Sequence, residues 1–269
     1  MSEPVRLEVQ DHVATLTLDR PGTFNALDLS TAAALADALL GVSSDPRVRA
    51  VVLTGAGRAF SAGGDLRHAA SHPHGPPAAF RELATRVHVC VAEIRRMDKA
   101  VIAAVNGVAA GGGFSLALAC DFRVMAAGAR LVQGYTSQGL AMDAGGTFTL
   151  PRLVGIARAL EIAAFDEPIP ADRALAWGLA TRVVPDGAAL DEAHAMAATL
   201  AGRSVHAFAA VKRLLTDAYD TPLEAQLERE RAALVDCAGH PDGVEGVHAF
   251  LEKRRPVFGA DGPGSASSA

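Results

Sequence analysis

The stretch that decides the fold runs from Asn106 to Asp121 and reads NGVAAGGGFSLALACD. It follows the apolar run Val101–Val105, which suits a buried strand. Three consecutive glycines, Gly111–Gly113, then open an apolar segment expected to be helical. A strand that turns sharply into a helix leaves the first helical N–H groups without partners, at the positive end of the helix dipole. Such groups suit an anion or a developing oxyanion. Glycines that merely let strand and helix pack closely would explain this turn as well.

A second glycine turn lies upstream, at Ala59–Leu66 (AFSAGGDL), after the buried strand Ala50–Leu53. Paired glycines allow close approach of backbone to a ligand, and Asp65 is placed to sit at a helix N-terminus. Further outward, Val5–Val9 and His12–Leu18 alternate as strands around an Asp11-His12 turn. The loop Arg20–Asp28 (RPGTFNALD) leads to an alanine-rich helix capped by Ser30 and ending near Val42. A helix is expected from Ala78 to Arg96 after the loose HAASHPHGPPA stretch, and another strand at Phe122–Ala126. Strands alternating with helices imply parallel βαβ units. From Gly146 to Phe250 the pattern is helical, with one brief strand near Arg182–Val184, and the tail from Gly259 is expected to be disordered.

Composition narrows the function classes. Of the 269 residues, 50% are apolar and 20% charged, which suits a compact α/β core. A net charge of −5 gives no footprint for nucleic acid. No signal-type N-terminus or membrane-length apolar run is evident, so the expectation is a soluble, cytoplasmic protein without a membrane partner. Cys90, Cys120 and Cys237 are too scattered for a metal site and read as reduced core thiols. His68, His72 and His74 share a Pro/Gly-rich loop without a carboxylate or cysteine to complete a metal set, and no metal is expected.

Other motifs fall short. Gly55-Ala-Gly57 lacks the third glycine of a dinucleotide fingerprint. Gly113-Phe-Ser115-Leu-Ala117 is one glycine short of a nucleophile elbow, and no histidine stands in a suitable downstream context.

Taken in order, these segments resemble the enoyl-CoA hydratase/isomerase (crotonase) superfamily over nearly the whole chain. The landmarks are Arg20–Asp28, Ala59–Leu66 and Asn106–Asp121, then Gly145-Gly146-Thr147, Leu150–Gly155 (LPRLVG), Ala174–Leu179 and Ala249–Phe258 (AFLEKRRPVF). The resemblance implies an α/β spiral of ββα units over 1–195, a helical C-terminal trimerisation region over 196–258 and a tail over 259–269. It implies homotrimers, or dimers of trimers. It assigns the oxyanion hole to the N–H groups of Gly64 and Gly112. Backbone around Asn25-Ala26 and Ala62, together with Asp65, would hold coenzyme A, with Phe250 and Lys253 closing that site, in some members from a neighbouring subunit. Coenzyme A enters as part of an acyl-CoA substrate, and no separate cofactor is implied.

The acid/base groups are informative by absence. Hydratases of this superfamily use a pair of glutamates, and the matching positions here hold Ser115 and Tyr135. Asp143 falls where several isomerases carry a carboxylate, although those usually have proline at the place of Met142. One carboxylate suffices to move a proton between the α and γ carbons, whereas hydration benefits from an acid and a base. Asp143 could instead cap the Gly146–Val154 helix. Double-bond isomerisation, including the ring type of phenylacetyl-CoA breakdown, is therefore expected, with Tyr135 lining the acyl pocket. Three alternatives stay open: a hydratase-like lyase with an atypical site, a catalytically silent CoA-binding protein, and an enzyme like the 4-chlorobenzoyl-CoA dehalogenases. The last have an aspartate, an aromatic residue and a histidine at the places of Asp143, Tyr135 and His88, but that aromatic residue is an indole, and His88 also reads as a structural histidine.

Overall fold

The computed structural model describes residues 3–259. The chain opens with an antiparallel hairpin of β1 (Val5–Gln10) and β2 (Val13–Leu18). Its two turn residues, Asp11 and His12, both take positive φ, as a tight hairpin requires. Helix α1 (Leu29–Ser44) begins one residue before Ser30, and its cap is Asp28 instead. The Asp28 carboxylate accepts the Thr31 N–H at 2.8 Å, while Ser30 donates its hydroxyl to the same oxygen at 2.7 Å.

Two sheets then grow together. β3 (Ala50–Gly55), β5 (Ala100–Val105) and β7 (Phe122–Ala126) are each followed within a few residues by a three-residue strand: β4 (Ala59–Ser61), β6 (Val108–Ala110) and β8 (Arg130–Val132). The long strands join one six-stranded sheet in the order β1-β2-β3-β5-β7-β10, where β10 is Arg182–Val184. The short ones join a second sheet in the order β4-β6-β8-β9, where β9 is the two-residue Ile169–Pro170. This is the α/β spiral of ββα turns. Asparagines lock its corners: Asn106 Nδ2 donates to the Gly55 and Gly57 carbonyls, each at 2.9 Å.

Helices fill the gaps between turns. α2 (Leu66–Ala70) and α3 (Gly75–Arg96) take up much of the histidine-rich stretch that reads as loop in the sequence. α4 (Gly112–Ala119) follows β6 and is buried from Gly113 onward. α5 (Gly146–Phe165) is longer than its sequence signal, because the chain continues helically past a kink at Gly155, where φ is 75° and ψ 160°. α6 (Ala171–Ala176) leads through β10 to α7 (Ala189–Ala201). α7 packs on β3, β5 and β7, so a boundary at 195/196 falls inside a helix of the core.

Beyond it lie α8 (Val205–Asp217), α9 (Leu223–Gly239) and α10 (Pro241–Leu251). α8 is pinned by Lys212, whose buried ammonium donates to the Ile94 and Lys99 carbonyls and to Asp121 at 2.8–3.1 Å. α9 buries no residue, and Leu234, Val235, Phe250 and Leu251 stand exposed along this region. The tail beyond Gly259, expected to be disordered, lies outside the described residues. No helix among the described residues is long and apolar enough to cross a membrane.

Candidate active site

Topology brings the two glycine turns together. β4 and β6 are parallel neighbours, with Ala59 opposite Val108 and Ser61 opposite Ala109, so both chains leave the sheet at the same end. The turn after β4 is held by Leu27, whose N–H donates to the Gly63 carbonyl at 2.7 Å and whose carbonyl accepts the Asp65 N–H at 2.9 Å. That single parallel bridge aims the Gly64 N–H the other way, away from Leu27. It has no hydrogen-bond partner among the described residues.

After β6, Gly111 adopts φ 52° and ψ −123°, a conformation side chains resist. Its N–H donates to the Val132 carbonyl at 3.0 Å, and its carbonyl receives the first α4 bond, from Ser115. Gly112 is then the first residue of α4, and its N–H is likewise unpaired. A Cβ built on Gly112 would lie 3.7 Å from the Gly64 nitrogen, so the two free amides are close neighbours. Gly113 needs its missing side chain for packing, since a Cβ there would meet the Ser61 carbonyl oxygen at 2.5 Å.

Gly64 and Gly112 both line one cavity of about 340 Å³. Phe80, Leu83 and Val87 of α3 line one side, and Tyr135, Leu140 and Asp143 the other. Asp143 does not cap α5: the cap position is Gly145, with no side-chain bond. Instead Asp143 Oδ1 lies 2.7 Å from Nε2 of His88, a residue 55 positions earlier on α3. The Asp143 carbonyl accepts the Gly146 N–H at 3.0 Å, which fixes the loop ahead of α5.

Ser115 and Tyr135 lie side by side beneath this loop. Ser115 is fully buried, and its Oγ makes no hydrogen bond of good geometry. A Cβ on Gly146 would stand 2.6 Å from it, so the serine hydroxyl packs directly on the α5 backbone. Burial pushes the Tyr135 phenol above its ordinary value, and the nearby Asp143 charge acts in the same direction; contacts with the Ser115 hydroxyl and the Asp143 amide offset part of this. The cysteines offer no nucleophile here: burial raises the Cys90 and Cys120 thiols to about 12.

The residues expected around coenzyme A divide. Ala62 lines the cavity, and its N–H is used by the Phe24 carbonyl at 2.9 Å. Asn25 and Ala26 do not line the cavity. Asn25 is fully buried, with φ 58°, and its side chain donates to the Ala56 and Ala59 carbonyls while accepting the Arg20 N–H. The Asn25 carbonyl receives the Ser61 hydroxyl, and the Ala26 carbonyl receives Arg20 Nη1 at 2.7 Å. Asp65 does not line the cavity either. Its carboxylate caps α2 through the Arg67 and His68 N–H groups and lies 3.5 Å from Arg20. Phe250, on α10, and Lys253, just past it, are also absent from the cavity wall within this chain, and Phe250 is 81% exposed.

A ββα spiral with free glycine amides over one cavity defines an α/β enzyme of the crotonase class. The chain belongs to the enoyl-CoA hydratase/isomerase family, whose model matches residues 8–261. It is 38% identical to the 1,2-epoxyphenylacetyl-CoA isomerase of Escherichia coli (strain K12), covering 96% of this chain and 99% of that protein. It is 36% identical to a carnitinyl-CoA dehydratase of Salmonella enteritidis PT4 (strain P125109), again over 96% and 99%. Among solved structures, an enoyl-CoA hydratase from Polaromonas sp. JS666 superposes with a TM-score of 0.90 at 39% identity, covering 94% of this chain and 98% of that one.

Proposed function

We propose that this enzyme moves a double bond in an acyl-CoA thioester by way of an enolate, with Asp143 as its one acid/base. The observation that carries this is the pairing of two free amides with a single carboxylate on one cavity wall. Removing an α proton drives negative charge onto the thioester oxygen. Fixed donors at Gly64 and Gly112 stabilise that charge without reorganising, each by about 3–4 kcal/mol. Asp143 takes the proton and returns it to the γ carbon, work for which one carboxylate is enough. Hydration needs a second group to carry water, and Ser115 and Tyr135 supply hydroxyls where that chemistry calls for carboxylates. The likeness to an epoxyphenylacetyl-CoA isomerase supports a ring-type substrate, and the likeness to a carnitinyl-CoA dehydratase keeps lyase chemistry as the competitor.

Coenzyme A is part of the substrate, held along the Ala62 side of the cavity, and no separate cofactor is required. The exposed apolar side chains of α9 and α10 suit burial between subunits, in a homotrimer or a dimer of trimers, which is where Phe250 and Lys253 would reach a neighbour's site.

The test uses 3-hexenoyl-CoA and crotonyl-CoA. The proposal expects conversion of the first to its 2-enoyl isomer, little hydration of the second, and loss of isomerisation in Asp143→Asn. Rapid hydration of crotonyl-CoA, or full turnover by Asp143→Asn, contradicts it.

The contact between His88 and Asp143 favours one second reading, in which Asp143 attacks an aromatic ring and displaces halide. Halide release from 4-chlorobenzoyl-CoA decides for it; no release eliminates it.

A further inference from the structure

Asp143 reaches the cavity from a loop, yet it is gripped from outside that loop. On α3, Phe80, Leu83, Ala84 and Val87 line the cavity at helical spacing. His88 is one turn beyond Ala84, so it continues the same strip toward the rim. The strip is apolar until His88, where the side chains of His88 and Asp143 are 56% and 42% exposed. Their contact, Nε2 to Oδ1 at 2.7 Å, is the one hydrogen bond the Asp143 side chain makes among the described residues. An ionised carboxylate only accepts, so the imidazole donates from Nε2. Oδ1 is thereby occupied, and Oδ2 is left to meet substrate.

Resting on the isomerase reading above, we infer that His88 is a positioning residue that commits a single oxygen of Asp143 to proton transfer. The bond to the α hydrogen breaks as Oδ2 takes the proton, and the electron pair passes to the thioester oxygen. The same Oδ2–H bond then breaks as the β,γ double-bond pair takes that proton onto the γ carbon. The enolate carbon–carbon pair shifts to form the α,β double bond, and the oxygen's extra pair restores the thioester carbonyl. Because one oxygen does both, the proton leaves and returns on one face of the acyl chain. It stays with the substrate unless it escapes to water first. A carboxylate free to rotate would expose both oxygens to the half-open rim and lose the proton more often.

The experiment follows α,α-dideuterated 3-hexenoyl-CoA through turnover and reads deuterium at the γ carbon of the product. The unmodified enzyme is expected to transfer label. His88→Ala is expected to lower kcat by about 10²-fold, with KM little changed, and to lose most of the label to water. His88→Gln, which keeps a donor at similar reach, is expected to recover much of both. Wild-type kcat and label transfer in His88→Ala overturn the inference, as does a loss that His88→Gln does not recover. Absence of isomerisation by the unmodified enzyme sinks the isomerase reading instead. A measurement independent of turnover is nitrogen–proton correlation of the His88 imidazole. It should show hydrogen on Nε2, and its resonance should move in Asp143→Asn; hydrogen on Nδ1 with a bare Nε2 overturns the inference whatever the turnover.

Discussion

A Cβ built on Gly63 would stand 2.7 Å from the Gly112 nitrogen and 2.6 Å from the Ala110 carbonyl oxygen. The two glycine turns therefore touch through backbone alone, and neither atom belongs to a side chain that could swing aside. Gly63 also has φ 82°, which disfavours any side chain.

Gly63→Ala is therefore expected to part the amide pair. The variant should lose about 10²–10³ in kcat, the usual cost of one misplaced oxyanion donor. It should also lose about 1–3 kcal/mol of stability through strain. Steady-state kinetics with thermal unfolding checks both; an alanine with wild-type kcat would mean the turns need not touch.

Lys212 and Asp121 test how the C-terminal helices are attached. Lys212→Met removes an ammonium that serves two carbonyls and a carboxylate, leaving the half-buried Asp121 with its Val101 N–H contact and the Arg123 charge nearby. Breaking one side of such a pair costs about 3–5 kcal/mol. Adding Asp121→Asn should return part of that loss. Denaturant unfolding of the single and double variants reads the difference.

The cysteines should differ sharply in reactivity. Cys90 and Cys120 are buried, with thiols pushed up to about 12, whereas Cys237 is partly exposed. Brief alkylation of the folded protein at pH 8 is expected to modify Cys237 alone, as peptide mass mapping would record.

Acid titration has a predictable sign at Asp45. Its carboxyl is held down at about 2, first by the Arg47 side chain and then by the Arg47 N–H. A lowered folded value means the associated stability is complete above the ordinary aspartate range and fades as pH falls from about 4 toward 2. Carbon NMR of the Asp45 carboxyl should show a midpoint near 2; a midpoint near 4 would deny the Arg47 contact.

Much of this architecture is legible in the residues. Apolar runs such as Val101–Val105, each closed by a glycine turn, announce the parallel sheet. The second sheet is not legible, because β4, β6 and β8 have three residues each, too few for any periodicity. Local signals also mislead where several groups compete. Asp143 has the form of an N-cap, but a histidine 55 residues away takes its carboxylate. Asp65, by contrast, reads as a helix N-cap and is one, its carboxylate accepting the Arg67 and His68 N–H groups. The Gly64 and Gly112 amides, which the resemblance assigns to the oxyanion hole, are among the groups the fold leaves without a partner.

Vibrational spectroscopy of a bound thioester examines that pair most directly. With hexenoyl-CoA carrying ¹³C at the carbonyl, difference infrared spectra should show the carbonyl stretch shifted to lower frequency than in water, because two fixed donors polarise it. A stretch at or above its value in water would contradict convergence of Gly64 and Gly112 on that oxygen.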